Sequence, residues 1–324
     1  MMQRTVDLDG PLDLGQTLGH LLVGRADPTM RIAGDAMARA TWTPDGPATI
    51  RVDVDRTGWV ASSVAGGPGA EWALQAVPAL LGLHDDRSDF DPDAHEVVAR
   101  FDRQLEGFHI GRTGRVVDVL TATILAQKVT GLEAMRSWRH LTELAGRPAP
   151  RGADLPELLL PPAADFLAAL PTWQYTAAGV DGRRAATIIG SHRRIDRLEE
   201  AVTMDATAAT ARLTALPGLG PWTAALVARA ARGDPDTVEV GDFHLPNAVA
   251  WNLAREARAS DERMLELLAP FAGHRGRVMR IIGLAGSRAP AYGPRLAPRR
   301  FGARRSPGSA SGAAGARTRS SKGR

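Results

Sequence analysis

Not one of the 324 residues is cysteine, which excludes disulfides, zinc–thiolate sites and cysteine-ligated iron–sulfur clusters. No apolar run approaches the ~20 residues of a membrane span, so no membrane partner is expected. Residues 1–13 lack a continuous apolar stretch, being interrupted by Arg4, Asp7 and Asp9, and do not read as a signal peptide. A cytoplasmic location follows as the expectation. Acidic residues are missing from 286–324, which holds ten Lys and Arg and no Asp or Glu; of the net charge of +4, the rest of the chain therefore carries −6. The basic character thus belongs to this Gly-, Ser-, Pro-, Ala- and Arg-rich tail, which has little to bury and reads as disordered. It can add salt-sensitive phosphate affinity or be inert.

Strand-like alternation occurs only in the first part of the chain. Segments 5–8 and 49–54 alternate apolar and polar residues, 38–42 and 59–61 are further candidate strands, and Pro44-Asp45-Gly46-Pro47 reads as a turn. Leu14, Leu18 and Leu22 have helical spacing within 12–22. An antiparallel sheet with one or two covering helices is expected over 1–88. Beyond Pro92 the strand signals stop, and 89–285 reads as essentially all helical. The expected helices lie at 93–105, 115–129, 132–144, 165–170, 180–201, 206–216, 222–231, 242–257, 261–268 and 274–284. The fold class is α+β: a small N-terminal antiparallel sheet domain, an α-helical core, and the tail 286–324.

One stretch organises that core. Leu216-Pro217-Gly218-Leu219-Gly220-Pro221-Trp222-Thr223-Ala224 interrupts two alanine-rich helical runs, and Val240-Gly241-Asp242 follows. Pro217, Gly218 and Gly220 do not sit within one helix, so two helices joined by a tight hairpin at 216–224 are expected. Free N–H groups opening the second helix form an anion site that a phosphate fits. An ordinary helix corner with a Pro-Gly turn is the plainer reading.

Together these residues resemble the helix-hairpin-helix plus Gly/Pro-Asp signature of the DNA glycosylase superfamily, here spanning 216–249. Trp222, where a lysine can stand, resembles the bacterial 3-methyladenine DNA glycosylase II branch. The helical region 93–285 is similar to the superfamily core, and the sheet at 4–83 is similar to the N-terminal domain of that branch and of 8-oxoguanine glycosylases. The resemblance implies a monomer that binds damaged double-stranded DNA in a bacterial cytoplasm or nucleoid and acts in base excision repair without a cofactor.

The resemblance also implies roles for individual residues. Asp242 takes the catalytic position, where a carboxylate stabilises an oxocarbenium-like sugar and orients or deprotonates water; as a plain structural residue it would cap a helix. Trp222 and Phe243 fall in the base pocket, although a core tryptophan is the other reading of Trp222. Without a lysine there, Schiff-base chemistry and strand nicking are not expected. Gly218, Gly220 and Thr223 belong to the strand grip, His244 and Arg275 to further DNA contacts, and His274 and Arg277 are expected beside them. Gln127 and Lys128 stand where a side chain fills the gap left by a flipped base, and a polar helix end is the alternative. Carbonyls of Leu216 and Leu219 are implied to hold a structural monovalent cation. Leu226 and Gly283 replace aromatics of the branch, with Trp173 and Tyr175 as substitutes. The expected activity is hydrolytic excision of alkylated, 3-methyladenine-type purines. The alternatives are an oxidised-purine glycosylase of 8-oxoguanine type and a non-catalytic damage sensor.

Overall fold

The computed structural model of the protein describes residues 1–290; most of the basic tail expected at 286–324 lies outside them. Strands β1 (Met2–Asp7), β2 (Met30–Ala33), β3 (Ala36–Thr43), β4 (Gly46–Val54) and β5 (Val60–Gly66) form one antiparallel sheet in the order β1-β5-β4-β3-β2. Thr43 pairs with Gly46, so Pro44 and Asp45 make a two-residue turn, closed by Thr43 Oγ1 donating to the Gly46 carbonyl at 2.8 Å. Gly46 has φ +119°, a region closed to most side chains. β2 was not expected: its four residues are too few for an alternation to register, and its place comes from pairing with β3.

Helices α1 (Leu14–Leu18), α2 (Ala70–Gln75) and α3 (Val77–Leu80) cover one face of the sheet, burying Leu14, Leu18, Met37, Ile50, Val52 and Leu74 in a shared core. The α1 helix is shorter than its leucine spacing suggests and continues as one 3-10 turn, Gly19–Leu21. On the other face Ala38 and Ala40 of β3 pack against Ala149, Leu158 and Leu160. Burial on both faces explains why β3 shows no polar alternation.

The remaining helices are α4 (Glu96–Gln104), α5 (Val117–Leu125), α6 (Gly131–Ala145), α7 (Ala164–Ala169), α8 (Thr172–Ala177), α9 (Gly182–His192), α10 (Ile195–Glu199), α11 (Ala206–Thr214), α12 (Pro221–Arg232), α13 (Leu245–Ala254), α14 (Asp261–Leu268) and α15 (Arg275–Ala285). Their ends follow local chemistry. Thr130 and Glu133 form a reciprocal capping box on α6, and Gly146 closes it in the left-handed region. Asp181, Asp205 and Ser260 cap α9, α11 and α14. Leu120, Ile124, Leu141, Tyr175, Ile188, Leu213 and Val227 form the central helical core.

The single helix expected at 180–201 is instead broken between His192 and Ile195. The break places Glu199 at the start of α5, where its carboxylate accepts hydrogen bonds from Val116 N and Val117 N at 2.8 and 2.9 Å. No proline marks the break, which follows from this distant partner. A second long-range tie fixes α5 to the sheet: Asp118 pairs with Arg39 of β3 at 2.9 Å and accepts from Thr41 Oγ1 at 2.9 Å. The loop after α5 is thereby held relative to the rest of the molecule. Among the described residues no helix is long and apolar enough to cross a membrane.

Candidate active site

Helices α11 and α12 form the expected hairpin. Leu219 N donates to the Leu216 carbonyl at 3.1 Å to close the turn, and Pro221 opens α12, where its missing N–H costs nothing. Gly218 has φ +90°, and a Cβ there would lie 2.1 Å from Thr187 Oγ1 of α9. Gly220 differs: its φ is −86° and a Cβ would meet nothing within 4 Å. The turn therefore requires only Gly218 on these grounds. A Gly218→Ala variant should lose about 1–3 kcal/mol of stability from left-handed strain, with the clash adding to it. Urea denaturation checks this, and Gly220→Ala should stay within about 1 kcal/mol of wild type.

The loop between α5 and α6 is tied directly to this hairpin. Gln127 Nε2 donates to the Gly218 carbonyl at 2.9 Å and to Thr223 Oγ1 at 2.8 Å. Both of its amide hydrogens are engaged, leaving Lys128, exposed and with φ +53°, as the side chain that projects from the loop. Residue types alone did not separate the two side chains; Gln127 is engaged with the hairpin and Lys128 is exposed.

Asp242 sits in the loop that ends α12's excursion and begins α13. Its Oδ1 accepts from His244 N at 2.7 Å and Leu245 N at 2.9 Å, covering the start of α13, and its Oδ2 accepts from Trp222 Nε1 at 3.0 Å. The capping and catalytic readings of Asp242 are thus compatible: one oxygen caps and the other is oriented by Trp222. The indole therefore does more than pack the helix pair. Gly241, with φ +89°, and its N–H, bonded to Asp261 Oδ2 at 3.0 Å, set the approach of this loop. Phe243 is 83% exposed and stands edge-on to His244 with ring centroids 4.9 Å apart.

Several expected contacts are placed elsewhere. Arg277 is fully buried, paired with Asp85 and donating through Nε to His274 Nδ1 at 3.1 Å, while His274 Nε2 donates to Asp89 Oδ1 at 2.8 Å. Neither reaches the surface to meet a phosphate. Arg275 has its guanidinium on Asp236, with Nε to Oδ1 at 2.8 Å, so its charge is already neutralised. Asp236 is held below the usual carboxylate range by that hydrogen bond, against burial, which pushes it up first. Tyr175 cannot line a base pocket, because it is buried in the helical core with its hydroxyl on the Leu167 carbonyl at 2.7 Å. Trp173 is exposed on α8, and a side chain at Gly283 would meet nothing. Among the described residues no group of three His, Asp or Glu could hold a metal ion.

Sequence reasoning missed a buried charged group on the inner side of Asp242. Arg229 of α12 pairs with Glu239, which is 4% exposed. Burial pushes the Glu239 carboxyl up, Arg229 opposes this, and Asp242 adds to it. Arg229 follows Trp222 by seven residues and so shares its helix face, the one pattern that could have revealed it.

No protein-family model matches the chain, and no curated protein matches it by sequence. Solved structures do. The 3-methyladenine DNA glycosylase of Archaeoglobus fulgidus superposes with a TM-score of 0.72 at 15% identity, over 86% of this chain and 97% of that one. The chain has the helix-hairpin-helix DNA glycosylase fold. An 8-oxoguanine glycosylase/lyase of Clostridium acetobutylicum, bound to double-stranded DNA with cytosine opposite 8-oxoguanine, gives 0.66 at 14% identity over 87% and 96%. The Schizosaccharomyces pombe 3-methyladenine DNA glycosylase in complex with abasic DNA gives 0.51 at 13% identity over 62% and 97%. The first two likenesses extend over most of the chain, so this version of the glycosylase fold includes the N-terminal sheet as well as the hairpin core.

Proposed function

We propose that the protein is a monofunctional DNA glycosylase that flips a damaged purine out of the duplex and hydrolyses its N-glycosidic bond, with alkylated purines as substrates. The observation that carries this reading is the Asp242 carboxylate held by Trp222 Nε1 at 3.0 Å, beside a helix start that can grip phosphate. Trp222 N and Thr223 N, at the open end of α12, would bind one strand's backbone. Lys128 would enter the space the base leaves, with Gln127 holding its loop in place. The indole face of Trp222 and the exposed Phe243 would offer stacking surfaces to a cationic base.

The reaction needs little beyond these groups. Breaking the bond builds positive charge on the deoxyribose, which a fixed carboxylate stabilises. Water then bonds to C1′ and gives its proton to Asp242. An alkylated purine carries positive charge already and leaves as a neutral base, so no amine and no metal are called for. The hairpin carbonyls of Leu216 and Leu219 fit a monovalent cation as a brace for the turn; Leu216 O retains a lone pair beyond its bond to Leu219 N.

The test is incubation with duplexes carrying 3-methyladenine or 7-methylguanine. Base release leaving strands that break only after alkali is the expected result. Nicking without alkali would overturn the monofunctional reading, and tight binding with no base released would favour a damage sensor.

A further inference from the structure

The loop that carries Asp242 leaves α12 and returns to it at the same residue. Gly233, with φ +68°, closes the helix by donating its N–H to the Arg229 carbonyl at 3.0 Å. The chain then comes back, and the Glu239 carboxylate pairs with the Arg229 guanidinium. From there the turn is short: Val240 N donates to the Val238 carbonyl at 3.0 Å, and Asp242 N to the Glu239 carbonyl at 3.2 Å. Two ties thus join the loop to one face of α12, Arg229–Glu239 and Trp222–Asp242, about 10 Å apart along the helix. The first tie is poorly suited to holding the fold together. Glu239 is buried, Arg229 Nε has no hydrogen-bond partner among the described residues, and desolvation offsets much of the attraction in such a pair. The charged groups facing Glu239 are Arg229, Asp242 and Arg280 of α15; burial pushes its carboxyl up, Arg229 opposes this, Asp242 adds to it and Arg280 opposes it. What the ion pair supplies is direction, because a guanidinium takes a carboxylate only along its N–H bonds.

We propose that Glu239 and Arg229 are positioning residues for base release, their pair fixing the turn from which Asp242 projects. This rests on the glycosylase reading above. Glu239 lies buried beneath the loop and acts only through Asp242, three residues on. With the turn fixed, Asp242 Oδ2 meets Trp222 Nε1 while Oδ1 accepts from His244 N and Leu245 N. Asp261 steadies the same turn from the side of α14, through Gly241 N at 3.0 Å. The loop is therefore clamped between two helices. A carboxylate stabilises developing charge best when it is already in place, and a displacement of about 1 Å costs about a hundredfold in rate.

The test is single-turnover release of 7-methylguanine from a duplex, with enzyme in saturating excess so that the rate reads folded molecules alone. The informative variant combines Glu239→Met with Arg229→Met, which strands no charge and leaves the net charge around Asp242 unchanged. It should melt near wild type and bind duplex DNA as tightly, yet release base about ten- to hundredfold more slowly. Glu239→Gln, which keeps an acceptor for Arg229, should lose less. The same double change made in Asp242→Asn should slow the residual release by less than about threefold, because groups that act as one unit are not additive. An unchanged rate in the double variant overturns the inference, as does an equal loss in the Asp242→Asn background. Both results leave the glycosylase reading standing. A wild type that releases no base overturns that reading, and the inference falls with it.

Discussion

Asp242→Asn lowers single-turnover base release by about a thousandfold, the range expected when a fixed electrostatic group or general base is removed, and leaves DNA binding in place. The geometry makes this substitution informative. Asparagine keeps one oxygen, which can go on accepting from His244 N and Leu245 N, at 2.7 and 2.9 Å in the native chain, so α13 stays capped. Its amide nitrogen then faces Trp222 Nε1, and two donors meet where a donor met an acceptor. The structural cost is about 1 kcal/mol, one net hydrogen bond, while the negative charge that the proposed reaction requires is gone. A variant that melts near wild type, binds duplex DNA and releases base at the wild-type rate would show that Asp242 only caps the helix.

Asp85→Ala destabilises the protein by about 3–5 kcal/mol, the cost of stranding a buried charge, read as a fall in urea midpoint. Arg277 is wholly buried and Asp85 nearly so. Asp85 accepts from Arg277 Nη1 at 2.9 Å and from Ile110 N at 2.9 Å, and Arg277 lies over the Phe90 ring at 5.4 Å. Removing the carboxylate leaves a guanidinium in the interior and an amide without its acceptor. The double variant Asp85→Leu with Arg277→Met should recover much of the loss, because it removes both charges together. Equal instability of the single and double variants would mean that shape, not charge, governs this junction. The pair holds the 83–110 connection against α15, the helix that also carries Arg280.

What the sequence makes legible is local. Glycines and prolines flanked by alanine-rich runs announce the hairpin, and Asp242 is placed by its distance from that hairpin. Capping residues such as Thr130, Asp205 and Ser260 lie within three positions of what they cap. The unreadable parts are long-range. Gln127 meets the hairpin across 91 and 96 residues, Arg277 meets Asp85 across 192, and Glu199 reaches α5 across more than 80. No spacing rule links such partners, so Arg275 and Arg277 looked like free surface cations and 180–201 like one helix. Tertiary partners neutralised the first two and divided the third.

The Gln127 bridge has a consequence for the order of events on DNA. One side chain fastens the Lys128 loop to the hairpin turn, so the two are tied into a single body. On the proposed reading, seizing the backbone and prying at the base stack become one step, with the cost of unstacking offset by phosphate contacts as they form. Added salt weakens those contacts, and it would then suppress base extrusion itself as well as residence on the strand.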